Sequence, residues 1–141
     1  MTRVDYYLIP ENDIKAKFRF ACRVASKAFD NNNHVFMHTA SDNDAHQIDD
    51  LLWTFQDISF VPHDLVGTDL TPPVQIGFGE KPENQNDILL NLSETVPSFC
   101  DQFQRIIEIV HEDDGYKKIS RKNFKYYKDK GFEIETHDLR K

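Results

Sequence analysis

Strand-like and helix-like segments alternate along this chain, and that alternation is the strongest constraint on its fold. Apolar runs at residues 4–9 and 34–39 predict buried strands, and each is followed by a segment with helical periodicity. The first helix is expected to start at Asn12 or Asp13 and to run to about Phe29, because its apolar residues are three and four apart. This order predicts a mainly parallel sheet with helices on both faces.

The rest of the chain continues the same pattern. Ser41 with Asp44 resembles a capping box that opens a second helix. The segment FVPHDL at residues 60–65 is not helical, and further strands are expected at residues 74–78, 87–92, 105–110 and 132–136. A last helix is expected at residues 114–130, ending at Gly131. We therefore predict a single three-layer, Rossmann-like α/β domain over residues 1–141. The inward positions of the second helix are expected to be Ala45, Ile48, Leu52 and Phe55.

The sequence lacks the glycine-rich loop that a nucleotide-binding enzyme of this fold class needs. The first strand-to-helix turn is Ile9-Pro10-Glu11-Asn12-Asp13, which has no glycine and places two acids where a phosphate would sit. The G-x-G at Gly77 and Gly79 lacks the third glycine, and no helix follows it. We therefore expect no nucleotide and no other cofactor.

No group of residues predicts catalysis or metal binding. His34 and His38 share a strand face but lie about 13 Å apart, which is too far for one ion. Cys22 and Cys100 form no motif, and free thiols are typical of a cytoplasmic protein. No run approaches the roughly 18 apolar residues of a membrane span. We expect a cytoplasmic, non-enzymatic protein without a metal site and without a membrane contact.

Positive charge is concentrated in the last helix of an otherwise acidic chain. Residues 117–130 hold seven Lys and Arg against one acid, Asp129, whereas the whole chain carries −7. At about 100° per residue, the helix places Phe124 on the flank of the cationic side. The cationic side consists of Lys117, Arg121, Lys125 and Lys128. The core-facing side is expected to hold Tyr116, Ile119, Asn123, Tyr126 and Tyr127.

Three interpretations of this helix are open. Basic residues are favoured near a helix C-terminus, so the helix could be an ordinary solvated one. An aromatic residue among cations would also suit a short acidic peptide with a hydrophobic end. Direct binding of single-stranded DNA is the alternative from another class, because cations and aromatic rings can hold stacked bases. The net charge of −7 argues against DNA.

A second surface is suggested by an apolar segment around the end of the second helix. Trp53 points away from the core positions of that helix, and Phe60, Val61 and Pro62 follow in non-helical backbone. Such a set is typical of an apolar interface with another protein. A small hydrophobic cluster beneath the loop explains the same pattern equally well.

Several segments together resemble the chi subunit family of bacterial DNA polymerase III. They are LLWTFQDISFVPHDLVG, PVQIGF, NDILLNL, RIIEIV and RKNFKYYKDKGFEIET. The W-x6-FVPH segment and the final GF-x-I-x-T strand have the family's order and spacing, and the likeness covers nearly the whole chain. The resemblance implies a Rossmann-like fold without nucleotide chemistry. It also implies an adaptor that binds the psi subunit of the clamp loader and the acidic tail, ending in Pro-Phe, of single-stranded-DNA-binding protein.

The resemblance also assigns residues to these two surfaces. Phe60, with Trp53, Val61 and Pro62, is implied to contact psi, and a helicase of the XPD-like type is implied as a competing partner there. Two positions depart from the family, because Phe124 replaces a Tyr and Lys128 replaces an Arg that can grip a carboxylate bidentately. Arg121 is thus the leading candidate for the terminal carboxylate of the tail. The implied tail site consists of Val110, Lys117, Arg121, Phe124, Lys125 and Lys128.

Overall fold

A computed structural model describes residues 2–54, 63–65, 74–78 and 87–140, with the side chains at 53–54 and 63–65 excepted. The helices are α1 (Ile14–Asp30), α2 (Asp42–Thr54) and α3 (Asp114–Asp129), and Cys100–Gln102 form a short 3-10 turn. All three helices lie where the periodicity predicts them. The strands are β1 (Arg3–Leu8), β2 (Val35–Thr39), β3 (His63–Leu65), β4 (Val74–Phe78), β5 (Ile88–Asn91), β6 (Arg105–Val110) and β7 (Glu133–Asp138).

The described strands form one sheet in the order β3-β4-β2-β5-β6-β1-β7. Every pairing between them is parallel, which confirms the predicted sheet type. β1 is central to one half of the sheet, since it pairs with β6 on one side and with the edge strand β7 on the other. The strand His63–Leu65 was missed from the sequence, where its segment is only identified as non-helical.

Helices cover both faces of this sheet, so the predicted three-layer arrangement is confirmed. α1 and α2 pack on one face, over a core that includes Met37, Ile76 and Leu90. α3 packs on the other face, where Tyr127 and Phe36 belong to a second core. The predicted inward positions Ala45, Ile48 and Leu52 of α2 are buried, and Phe55 lies outside the described residues.

Alternation along β1 connects the two faces. Successive side chains of a strand point to opposite sides of the sheet. Tyr6 therefore packs in the core beneath α3, whereas Tyr7 packs against the core beneath α1. Val4 and Leu8 share the face of Tyr6, and this parity determines which residues of β1 can reach each surface.

Candidate functional site

Capping interactions fix both ends of α3, the helix with the concentrated positive charge. Asp113 is the N-cap residue, and its carboxylate accepts a hydrogen bond from the Tyr116 backbone N–H at 2.8 Å. At the other end, Gly131 has φ +83°, a left-handed conformation that glycine adopts without strain. The chain then turns directly into β7, so α3 is held beside β7 and the neighbouring β1.

The buried side of α3 holds the helix on the sheet through polar as well as apolar contacts. Tyr127 is fully buried and donates a hydrogen bond to Glu108 of β6. Asn91 donates to the same carboxylate oxygen at 2.9 Å. Burial raises the pKa of Glu108 to about 7, although both of these bonds favour its charged form. Asn123 donates to the Glu94 carbonyl at 3.1 Å. The orientation of α3 about its own axis is therefore fixed.

This orientation confirms most of the predicted core-facing side but not Tyr126. Tyr116, Asn123 and Tyr127 are buried, Ile119 is partly buried, and Tyr126 is 41% exposed. The buried residues centre near 270° on the helical wheel, and Tyr126 lies about 90° from that centre. It is at the rim of the helix, where the Lys130 ammonium lies 5.5 Å from its ring centre. Ser120, which the wheel did not select, is buried instead.

A small apolar hollow of about 190 Å³ lies between α3 and the sheet. Arg121 and Phe124 form its helical wall, and Tyr6 and Leu8 of β1 contribute from the sheet. The Phe124 ring is 36% exposed and packs against the Tyr6 ring at 5.4 Å between centres. Phe124 therefore belongs to a partly exposed aromatic surface, on the flank of the helix where the wheel places it. Ser120 and Thr136 complete the lining.

The cations of the α3 surface differ in their surroundings. Arg121, Lys125 and Lys128 are exposed, and in the described part of the chain no carboxylate lies within 4 Å of their side-chain nitrogens. Lys117 differs from them, because its ammonium contacts the Glu112 carboxylate at 2.6 Å. The bond from Lys117, followed by that from Arg140, lowers the pKa of Glu112. Much of the charge of Lys117 is thus already compensated.

The residues that line the hollow differ in two ways from the tail site that the family resemblance implies. Val110 is buried at the end of β6, beside Leu8, and does not itself line the hollow. Tyr6, Leu8, Ser120 and Thr136 do line it and were missed. Tyr6 and Leu8 are two residues apart in a strand, so they share one face of the sheet. Ser120 and Phe124 are four residues apart in a helix, so they share one side of α3. The signal for part of the set was therefore present in the sequence.

A crevice of about 330 Å³ lies at the carboxyl ends of the strands, where folds of this class hold nucleotides. Its lining includes the acids Asp44, Glu94 and Asp113. The N-cap carboxylates Asp13 and Asp113 accept hydrogen bonds from amides at the starts of α1 and α3. Amides that already bind carboxylates are not free to bind a phosphate, and the surrounding negative charge would repel one.

Lys17 is the unusual residue of this crevice. Its side chain is fully buried, and its ammonium lies 3.4 Å from the centre of the Tyr116 ring. No hydrogen-bond partner for this ammonium lies among the described residues. Burial lowers the pKa of Lys17 to about 8, although the negative charges of Glu108, Glu94 and Asp44 act to raise it. The ring face of Tyr116 supplies part of the stabilisation that water would otherwise give.

One group of potential metal ligands occurs within the described ranges, and it is better explained as an ion-pair network. Ligand atoms of Asp5, Glu135 and His137 lie within 4.8 Å of one another. Asp5 is completely buried and accepts from Arg105 at 2.6 Å and from Arg3 at 3.2 Å. The Nε2 atom of His137 lies 3.1 Å from Asp5 Oδ1, an oxygen that Arg3 also contacts. With two guanidinium groups on its carboxylate, Asp5 lacks the free lone pairs that a metal would need.

The other residues selected from the sequence are placed as follows. Cys22 and Cys100 are buried free thiols, and burial raises the pKa of both. None of the described helices is both long and apolar enough to cross a membrane. Trp53 lies in the last turn of α2, but its side chain is outside the described residues. Phe60, Val61 and Pro62 lie outside them as well, so the second surface stays a prediction.

Comparison with known proteins provides the family. Residues 1–135 match the family described as "DNA polymerase III chi subunit, HolC". The chain is 37% identical to the DNA polymerase III subunit chi of Pseudomonas aeruginosa, over 99% of this chain and 98% of that protein. It is 29% identical to the Haemophilus influenzae subunit chi and 27% identical to that of Escherichia coli, with at least 95% of each chain covered. The chain therefore belongs to the DNA polymerase III chi subunit family.

Proposed function

We propose that this protein is a non-catalytic adaptor of the bacterial replicative DNA polymerase III holoenzyme. In this role it links the clamp loader, through the psi subunit, to single-stranded-DNA-binding protein. The link is made by capture of the acidic C-terminal tail of that protein, which ends in Pro-Phe. The observation that carries the proposal is the apolar hollow at Phe124, with the exposed Arg121 at its wall and further cations on the same helix.

The dimensions and chemistry of the hollow suit one aromatic side chain. Its sheet wall is mainly apolar, with Tyr6 and Leu8 beside Thr136, and the partly exposed Phe124 ring leaves a face for a second ring. Aromatic pairs of this kind are worth about 0.5–1.5 kcal/mol beyond the area that they bury. Arg121 lines the same hollow, so a terminal phenylalanine in the hollow would bring its α-carboxylate near the guanidinium. A guanidinium can hold a carboxylate by two parallel hydrogen bonds.

The remaining cations are expected to act mainly on the rate of encounter. Lys125 and Lys128 are exposed, and exposed charges are screened by salt and contribute little to affinity. Lys117 should contribute least, because its ammonium is already paired with Glu112. The apolar anchor and Arg121 should therefore determine affinity, and Lys125 and Lys128 should determine its dependence on salt.

The test is calorimetric titration with a peptide of several aspartates followed by Pro-Phe. Replacement of Arg121 by Ala should weaken binding by about 1–3 kcal/mol, which is the loss of a charge-assisted bond at a partly buried site. The matched control is Lys122→Ala, which removes an exposed cation that lies about 100° further round the helix and does not line the hollow. It should bind nearly as well as the wild type.

A second peptide with an amidated C-terminus identifies the group that Arg121 binds. Amidation should weaken binding to the wild type and to Lys122→Ala, but should have little further effect on Arg121→Ala, because the two changes remove the same interaction. Equal affinities of wild type and Arg121→Ala would rule out this role. Filter binding of a naked oligonucleotide separates the rival function, since the adaptor should retain very little of it.

The psi contact is proposed on the family likeness, since the side chains of its residues lie outside the part of the chain that the structure describes. Phe60→Ala should release psi during co-purification and leave tail binding unchanged. A variant that still co-purifies with psi would refute the assignment of Phe60. Pairing both readouts in the same preparation shows that the domain has kept its fold.

A further inference from the structure

A second line of positive charge runs along α1, on the face of the sheet opposite to α3. Its four members are exposed and are spaced four residues apart, so they lie about 6 Å from one another along the helix axis. In the described part of the chain, no carboxylate lies within 4 Å of their nitrogens. We call them the α1 stripe: Lys15, Arg19, Arg23 and Lys27.

A cleft of about 350 Å³, lined by both apolar and polar side chains, opens beside the C-terminal half of the α1 stripe. Phe20 and Val24 line it from α1, and Tyr7 lines it from β1. All three side chains are only partly buried, so their apolar surface is accessible. The Tyr7 and Phe20 rings lie 5.7 Å apart. This α1 cleft therefore has the same type of aromatic wall as the hollow beneath α3.

Three cations surround the α1 cleft. Arg23 and Lys27 of the α1 stripe and Arg105 of β6 all line it. The Arg23 guanidinium lies 5.6 Å from the centre of the Phe20 ring, so its charge is held at the apolar wall. Arg105 donates to Tyr7 at 3.1 Å and to the buried Asp5 at 2.6 Å, which makes the sheet side rigid.

We propose that the α1 cleft is a second docking site for an acidic peptide that carries an apolar anchor residue. The anchor would fill the cleft against Tyr7, Phe20 and Val24, and its acidic neighbours would lie along the α1 stripe. Charge complementarity selects this occupant, because two of the four stripe cations line a cleft that also has an aromatic wall, on a chain of net charge −7. The ligand class is that of the proposed function, but every residue involved is different.

Two features favour a peptide over a strand of nucleic acid. The edge strand β7 presents Glu133 and Glu135 on the face of the sheet that also carries Tyr7, because they pair beside Arg3 and Asp5 in register. A nucleic acid is charged at every residue and would be repelled wherever it crossed these acids. A peptide can place its negative charge on the α1 side only. The overall charge of −7 further disfavours a phosphate backbone.

The experiment is a nitrogen-15 NMR titration of the whole protein with the aspartate–Pro-Phe peptide. The backbone amides of Ala28 and Asn31 report on the α1 cleft, and those of Ser120 and Phe124 report on the α3 hollow. We expect both pairs to shift, each with its own saturation curve. In Arg121→Ala the α3 shifts should weaken, whereas the shifts of Ala28 and Asn31 should persist unchanged.

Two matched double variants each reverse the charge of two cations, one pair on α1 and the other pair on α3. Arg23→Glu/Lys27→Glu should reduce the affinity reported by Ala28 and Asn31 at least tenfold. Lys118→Glu/Lys122→Glu changes the net charge equally, at exposed positions of α3 that line neither surface, and should leave that affinity within twofold. Equal effects of the two double variants would show that only the net charge matters, and the assigned cleft would be wrong.

The outcomes separate this inference from the proposed function. Shifts confined to Ser120 and Phe124 overturn the α1 site and leave the proposed function intact. Shifts confined to Ala28 and Asn31 overturn the proposed function and leave the α1 site intact. A complete lack of binding refutes both the α1 site and the proposed function. If a short oligothymidylate shifts Ala28 and Asn31 while the peptide does not, the occupant is a nucleic acid and the peptide assignment is overturned.

Discussion

Replacement of the buried Lys17 by Met should change how the free energy of unfolding depends on pH. Met keeps the length and apolar stem of the side chain but removes the ammonium. In the wild type the pKa of Lys17 falls from 10.5 to about 8 because of burial. At about 1.4 kcal/mol per pKa unit, the charged ammonium costs the folded state about 3–4 kcal/mol at pH 7. Lys17→Met should therefore be more stable than the wild type at that pH.

The sign of the pH dependence follows from where the proton is held. The unfolded chain keeps the Lys17 proton up to about pH 10.5, whereas the folded chain releases it near pH 8. Between these values the unfolded state binds more protons, so the stability of the wild type gains from Lys17 as the pH rises. The advantage of Lys17→Met should shrink by about 2–3 kcal/mol between pH 7 and pH 10.

Urea unfolding followed by circular dichroism, at intervals from pH 7 to 10, measures this change. Packing differences between Lys and Met do not depend on pH. They change the difference in the free energy of unfolding between the two proteins by the same amount at every pH. Lys15→Met is the matched control, because Lys15 is exposed on the same helix. It should follow the wild type at every pH.

Glu108 is the coupled group in this test. Without Lys17 its pKa rises further, because it loses an attracting charge. The comparison should therefore be repeated in a Glu108→Gln background. There, Lys17 is the one member of the Lys17–Glu108 pair that can still titrate. A stability difference between wild type and Lys17→Met that stays constant from pH 7 to 10 in that background would refute the reasoning.

Two further predictions concern the sheet edge and the start of α3. Asp5→Asn should lower the free energy of unfolding in urea by about 2–4 kcal/mol at pH 7, because it leaves Arg3 and Arg105 without their buried partner. Burial favours the protonated form of Asp5, but the hydrogen bonds from His137, Arg105 and Arg3 outweigh it and lower the pKa of Asp5 from its usual value of 3.8. The stability difference should therefore start to shrink as the pH falls below that value, and a difference that stays constant from pH 7 to pH 2 would contradict the assignment. Asp113→Ala should cost about 1 kcal/mol through loss of the N-cap bond to Tyr116, whereas Asp114→Ala should cost only a few tenths, and equal losses would show that the cap is unimportant.

The helices and most of the strands could be predicted because their signals are local. Asp13 caps α1 at the position expected from its sequence, and Gly131 ends α3 with the positive φ that glycine permits. The parallel sheet follows from the order of the elements alone. β3 could not be predicted in the same way, because His63–Leu65 has only three residues and its pairing with β4 depends on the rest of the sheet.

The candidate site was only half predictable, and for a physical reason. The exposure of Arg121 and Phe124 follows from the helical wheel, whereas their sheet partners Tyr6 and Leu8 depend on where α3 is placed over β1. Lys17 shows the same limit more strongly. Nothing nearby in the sequence distinguishes it from Lys15, and it is buried because the start of α3 brings the Tyr116 ring over it.

The position of β1 in the sheet has a consequence for how the chain folds during synthesis. β1 leaves the ribosome well before both of its neighbours, Arg105–Val110 and Glu133–Asp138, which lie far along the chain from it. The half of the sheet that carries both aromatic surfaces therefore closes only after residues 133–138 have been made, through contacts of long sequence separation that form slowly. Until then, the backbone groups of β1 on both sides are unpaired, and such unpaired strands are prone to aggregation.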